Sequence, residues 1–329
     1  TMDGGKNWKK FMNNMPSVAV HFIDLHKKTN DLVMGTHGRG IIIIDDISPL
    51  REINDKVLAE KVHFFDTKPT IIFEEGSFAG SFGAETQFFG ANPSRSAKIK
   101  YHLSRRHTFG KMTLEIQDEN GKTISKLGPG KSKGINIVNW NYRLKNPKVA
   151  KGKTFSFGGF TSPLVEAGTY NVVLKKGKDT YTQKIELIYD PASNLTKSDR
   201  GFKHNTTMKM YNMTEELAYM VYELDAIVVK AKELKKRKTV ERLTKLKETL
   251  VITTGDNYVG SAEPQLREKM SDLYSKIATS YDKPSNSELE SLSIIEERFT
   301  QAKKEYAKLK KKVRFLGELK LKTFEEFIK

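Results

Sequence analysis

The chain has 329 residues, with 57 Lys+Arg against 40 Asp+Glu for a formal charge of +17, and at about 100–200 residues per domain it holds two or three domains. A hydrophobic content of 37%, with 18 Phe and 12 Tyr, excludes a wholly disordered polyelectrolyte. The absence of cysteine excludes disulfide frameworks, thiol nucleophiles and Cys-ligated metals, and no apolar run approaches the roughly 18–20 residues of a membrane-spanning helix.

The charge is uneven. Residues 1–60 carry 8 basic and 8 acidic side chains, residues 61–190 carry 21 and 11, and residues 191–329 carry 28 and 21. The excess in the last two segments reads either as solvated Lys-rich faces or as a surface for anionic partners: acidic polysaccharide, lipid head groups, nucleic acid or an acidic protein.

In chain order, residues 1–60 read as short strands and tight turns. Val18–Leu25 and Leu32–Thr36 are strands joined at Asn30-Asp31, and the Gly-rich turn His37-Gly-Arg-Gly40 leads to a third strand, Ile41–Asp45. Four consecutive Ile leave neither face of that strand polar, so it is expected to be covered on both sides. Residues 61–68 read as a connector. Strand signals follow at Ala97–Leu103, Lys111–Gln117, Ile135–Trp140, Gly168–Lys175 and Thr180–Ile188, which predicts an antiparallel sandwich over 61–190. Within it Lys148–Ser162 is expected to be a long exposed loop, and Trp140 and Tyr170 to be core and corner aromatics. The loop Gly76–Gly83, with Phe88-Phe89 after it, carries four Phe and reads either as an exposed sticky patch or as cement between domains.

Past Asp190-Pro191 the pattern becomes helical. Leu217, Met220, Val221, Leu224, Ile227 and Val228 recur at helical spacing, and helices are predicted near 207–236, 239–252, 264–281 and 285–313. Ser261 and Pro264 mark the third start and Ser285–Glu288 the fourth. Short connections at Gly255–Gly260 and Asp282–Pro284 imply a hairpin or up-down bundle over 191–329.

The most specific motif is the opening Thr1-Met-Asp-Gly-Gly-Lys-Asn-Trp8. Asp3 can accept hydrogen bonds from turn amides, Gly5 can take a positive φ, and Trp8 can start a strand with its indole packed under the turn. The pattern is similar to the Asp-box of BNR propellers. Because the turn uses every group in it, Asp3, Gly5 and Trp8 read as a folding device, although sialidases also carry such boxes. Beyond it, Met15–Val18 and above all Asp31–Glu52 resemble the closing blade of bacterial sortilin-like BNR-repeat propeller proteins. Gly134–Arg143 and Glu166–Leu174 resemble the Ig-like sandwich that follows the propeller there, and the residues after Asp190-Pro191 resemble the helical tail. Ile42 or Ile43 departs from that pattern, where a Trp often sits.

The resemblance implies a partial Asp-box propeller over 1–60, an Ig-like sandwich over 61–190 and a helical bundle over 191–329. One box and about four strands cannot close a propeller of about four to eight blades, so the remaining blades are expected on a longer chain or on a second piece. With the chain opening at Thr1 and no initiator Met, any targeting segment is likewise expected to lie outside this sequence.

His37 and Arg39 are the local ligand-binding candidates: a guanidinium fork suits carboxylate or phosphate, and an imidazole exchanges protons near neutral pH. The alternative is that Gly38 and Gly40 only build the turn and Arg39 pairs an acid on an adjacent blade. Asp45 and Asp46 point to opposite faces of a strand and cannot converge on a metal or a substrate by themselves. The seven His show no metal spacing, and the phosphate-loop, metalloprotease, hydrolase and dinucleotide motifs are missing, so no cofactor or metal is expected. The Lys-rich Lys230–Lys238 has no aromatic platform beside it that would mark a nucleic-acid site. The reading is a non-catalytic, extracytoplasmic bacterial interaction or scaffold protein, with the other blades, a protein partner or surface complex, or a glycan as partners. The alternatives are a sialidase-like or xyloglucanase-like glycoside hydrolase with its carboxylates on other blades, and a polyanion-binding module.

Overall fold

The computed structural model describes residues 1, 3–12, 14–73, 94–255, 262–313, 315, 317 and 319–329. The Phe-rich loop Gly76–Gly83 with Phe88-Phe89, Ser261, and all of Gly255–Gly260 except Gly255 lie outside them. The chain is a mixed β and α protein of two compact units. One is Thr1–Thr70 with Ser96–Asn141 and Gly168–Leu187; the other is Ile71–Arg95 with Tyr142–Ala167 and Ile188–Lys329.

The first unit opens with a three-stranded antiparallel sheet, β1 (Val20–His26), β2 (Asp31–Thr36) and β3 (Ile41–Ile44), in the order β1-β2-β3. Its turns use the residues that tolerate left-handed backbone: Asn30 has φ 61°, Gly38 83° and Gly40 64°. Register places Ile23, Met34 and Ile42 side by side on one face, and Phe22, Gly35 and Ile41 on the other, where Val33 and Ile43 are also paired. Met34 is buried, but Phe22 is 80% exposed, Ile41 71% and Ile43 56%. Cover is expected on both sides of the isoleucine run, but among the described residues the face that carries Phe22, Ile41 and Ile43 stays open, whereas Ile42 and Ile44 are half-buried. Two short helices follow. The first, α1 (Ser48–Glu52), carries Pro49 in its first turn; the second, α2 (Asp55–Ala59), is capped by Asn54, whose side chain accepts from the Val57 N–H at 3.0 Å.

The remaining strands are β4 (Val62–Phe64), β5 (Thr70–Ile72), β6 (Ala97–Leu103), β7 (Met112–Gln117), β8 (Thr123–Leu127), β9 (Gly134–Trp140), β10 (Gly168–Lys176) and β11 (Asp179–Tyr189). They make a sheet of order β5-β11-β10-β7-β8 and a second of order β4-β6-β9. Strict alternation buries Met112, Leu114 and Ile116, and Trp140 meets Tyr170 edge-on at 5.2 Å, one sheet touching the other. The 61–68 connector contains a strand after all, because Val62 and Phe64 pair with Leu103 and Tyr101. Strand β8 carries no apolar alternation, so Thr123–Leu127 is not evident from the sequence; among the described residues it is an edge strand paired with β7.

In the second unit α3 (Lys197–Glu233) packs on α4 (Arg237–Leu250) and α5 (Leu266–Thr279), and α6 (Asn286–Lys312) packs on α5 and α4; α7 (Phe324–Ile328) lies against α3. The core joins Leu217, Val221, Leu224, Leu243, Tyr274, Ile295 and Phe299. Helix α3 starts ten residues before its predicted start, at a capping box in which Thr196 and Asp199 satisfy each other's backbone amides. The segment expected to be an exposed loop, Lys148–Ser162, is instead strapped onto α5. Its Thr154, Ser156 and Thr161 are buried, and their side chains reach Arg267, Glu268, Ser271 and Ser275. Inward-facing hydroxyls hide this docking from a hydropathy reading.

Candidate functional site

The turn after β2 is built by its own backbone. The Thr36 N–H and hydroxyl both donate to the Gly40 carbonyl, at 3.0 and 2.7 Å, and the His37 N–H donates to the Ala19 carbonyl at 3.0 Å. These bonds leave the side chains of His37 and Arg39 exposed at one end of the three-stranded sheet. The His37 ring stacks on His21, with centroids 5.3 Å apart and planes within 15°. The structure thus adds His21 to His37 and Arg39, placing one imidazole on β1 and an imidazole and a guanidinium on the β2–β3 turn. Sequence spacing did not reveal His21, because a bulge between Val20 and Phe22 sets its position.

The Asp3 turn lies apart from these residues in the sequence and is closed on itself. Asp3 accepts from the Asn7 N–H at 2.9 Å, from the Asn7 side-chain amide at 2.6 Å and from the Thr1 hydroxyl at 2.9 Å. The Asn7 N–H is the largest influence that holds its carboxyl down at about 2, with the Asn7 amide and the Thr1 hydroxyl adding to it. Gly5 has φ 92°, and the Trp8 indole N–H donates to the Gly5 carbonyl at 3.0 Å. Trp8 is exposed and lies outside any strand; the next strand begins at Val20.

Asp45 and Asp46 are each engaged by β6. Asp45 faces Lys98 at 3.6 Å, and Asp46 binds the Lys100 ammonium, which is buried, as well as Ser48. Burial pushes the Asp46 carboxyl up, but the Lys100 and Ser48 hydrogen bonds outweigh it and the net shift is downward. The two carboxylates serve different lysines and do not face one substrate. Among the described residues no group of three or more His, Asp or Glu could hold a metal ion.

The second unit holds a small cavity of about 50 Å³, lined by apolar Leu164, Val165 and Ala278 as well as by Glu166, Tyr189, Arg200, Lys203, His204 and Thr207. The fold itself engages its basic side chains. Arg200 lies 4.3 Å from the centre of the Tyr189 ring, Lys203 donates to the Ser280 carbonyl, and His204 faces Glu166 at 3.8 Å. No sequence motif marks this cluster, because Arg200, Lys203 and His204 share a helix face while Tyr189 and Glu166 come from elsewhere in the chain.

No helix among the described residues is long and apolar enough to cross a membrane. No protein-family model matches the chain, and no curated protein matches it. Among solved structures the chain is similar to PorZ of Porphyromonas gingivalis, described as an essential bacterial surface component of the type-IX secretion system. The identity is 16% and the TM-score 0.18, and the match spans 52% of this chain but 23% of that one.

Proposed function

We propose that this chain is a non-catalytic, extracytoplasmic interaction or scaffold protein. Residues 1–60 would supply a closing part of an Asp-box propeller, 61–190 an Ig-like sandwich, and 191–329 a helical bundle that meets a partner. The observation that carries the reading is the open apolar face of the three-stranded sheet, Phe22, Ile41 and Ile43. Covering each of these side chains would contribute about 1.5–3 kcal/mol, which a neighbouring blade would provide and water does not. His21, His37 and Arg39 then stand at one rim as the contact for a protein or glycan ligand.

Hydrogen exchange tests this on the natural protein alongside the 329-residue chain, after the intact mass of the natural protein has been measured. The expected result is a longer natural chain, or a stable complex, in which the β1–β3 amides exchange far more slowly. Equal exchange in the two samples sinks the propeller reading. Turnover of a glycan library that one carboxylate substitution abolishes would establish the glycoside hydrolase instead. The net charge of +17 favours a second reading, a polyanion-binding module, and a steep loss of affinity with salt would support it through counterion release.

A further inference from the structure

The strap over α5 presents an unusual outer surface. From Tyr142 to Val165 the sequence holds Arg143, Lys145, Lys148, Lys151 and Lys153 and no Asp or Glu. Between Lys151 and Gly158 its residues alternate: Thr154, Ser156 and Gly158 are buried, while Lys151, Lys153, Phe155 and Phe157 are exposed. The inward side is held at many points. Ser156 Oγ lies 2.6 Å from Ser271 Oγ, and the Gly158 N–H donates to the same hydroxyl at 2.7 Å. Arg267 donates to the Thr154 carbonyl at 3.0 Å, Tyr274 to the Thr161 carbonyl at 2.8 Å, and the Lys153 N–H to the Ile252 carbonyl at 2.9 Å.

The outward side is aromatic. Phe155 is 42% exposed, Phe157 48% and Phe160 70%. Phe155 stacks on Phe160 with centroids 4.9 Å apart and meets Phe157 edge-on at 5.1 Å. Three phenyl rings are therefore clustered, fixed in place and left in water, at positions where a solvated strap would carry polar residues.

We propose that this face docks on an anionic lipid surface, with Phe155, Phe157 and Phe160 entering the head-group boundary and Lys151 and Lys153 meeting the lipid phosphates. Charge complementarity argues for this occupant. The carboxylate that the strap meets, Glu268, is already engaged by Arg267 and Thr154. Among the described residues, the exposed row from Lys151 to Phe160 therefore presents two ammonium groups and three rings. Lysine is depleted at protein interfaces, whereas a membrane surface offers anionic oxygens directly above an apolar layer. Lysine stems can lie along the apolar layer while their heads reach the phosphates. Apolar insertion and basic side chains are the two signals that together give stable binding at a bilayer surface. Because the strap is already ordered, little conformational entropy is lost on docking. The proposal does not depend on the propeller reading.

The test is co-sedimentation of the full chain with phosphatidylcholine–phosphatidylglycerol vesicles and with phosphatidylcholine alone. The expected result is binding to the anionic vesicles only, weakened about tenfold or more in the triple variant F155S/F157S/F160S. Phe109→Ser, which removes an exposed ring from the first unit, is expected to leave binding unchanged. Phe160→Trp guards against misfolding of the triple variant, since its added emission should shift to the blue with anionic vesicles and be quenched by brominated acyl chains. An unmoved Phe160→Trp emission overturns the proposal. So does full vesicle binding by a folded triple variant, or a self-association of the parent chain that the triple variant loses while neither binds lipid.

Discussion

The Gly158 N–H donates to Ser271 Oγ across 2.7 Å, and a Cβ built on Gly158 would stand 2.7 Å from that same oxygen. One hydroxyl thus sets both the hydrogen bond and the size limit at residue 158. Ser271→Ala leaves the buried Gly158 N–H and Ser156 hydroxyl short of a partner and is expected to cost about 1–3 kcal/mol. Gly158→Ala overpacks the contact at a similar cost of about 1–3 kcal/mol. Because both act on one atom, the double variant should cost less than the sum. Urea unfolding followed by far-UV circular dichroism checks all three, and strict additivity would show that the two residues do not meet.

The same contact shows why Lys148–Ser162 reads as a loop in the sequence. Its inward residues are small and polar, and their partners Arg267, Ser271 and Ser275 lie more than a hundred positions away, so no local period reveals them. The isoleucine strand was legible because branching at Cβ restricts χ1 and favours extended backbone over helix. So was the Gly38–Gly40 turn, since both glycines take positive φ. The first ten residues of α3 were missed for a local reason. Gly201, Asn205 and Thr206-Thr207 lower helix propensity there, and a tertiary environment that buries Arg200, Lys203 and Thr207 overrides it. The exposure of His37 and Arg39 follows from the turn, whereas the position of His21 depends on a strand bulge.

Glu223 joins α3 to α6 through two bonds of unequal weight. Buried Tyr306 donates its hydroxyl to Glu223 at 2.6 Å, and Lys310, whose side chain is half exposed, donates at 2.6 Å. Glu223→Ala strands a buried phenol and is expected to cost about 1–3 kcal/mol. Lys310→Ala removes a solvent-screened charge and is expected to cost under about 1 kcal/mol. Chemical denaturation of the two variants side by side checks the order, and a larger loss from Lys310→Ala would reverse it.

Asp199 sits where a capping box and an ion pair meet. Lys283 donates to it at 2.8 Å and the Thr196 hydroxyl at 2.6 Å, and these bonds, Lys283 first, bring its carboxyl down to about 2 from 3.8. A carboxyl lowered by folding stabilises the fold above its unfolded pKa, and that contribution fades as the pH falls through the folded value. The start of α3 is therefore expected to loosen on acidification from about 3.8 toward about 2. Hydrogen exchange at residues 197–203 across that range checks this. Asp199→Asn should flatten the dependence, and an unchanged acid profile in that variant would assign it to another group.

Asp3 gives the second acid-sensitive turn, with a reporter built in. The chain has two Trp; Trp140 is buried, and Trp8 bonds the Gly5 carbonyl inside the turn that Asp3 holds. Folding lowers the Asp3 carboxyl to about 2, chiefly through the Asn7 N–H, so the turn keeps its full support above 3.8 and loses it as the pH drops through about 2. The Trp8 indole N–H resonance is expected to move toward its free-peptide position over that interval while the Trp140 resonance stays in place. Asp3→Ala should place the Trp8 signal at that free position already at neutral pH, because the Asn7 amides lose their acceptor and the turn opens. A Trp8 resonance unaffected by Asp3→Ala would mean that the indole bond, rather than the carboxylate, closes the turn, and the Asp3 side chain would then have no folding role there.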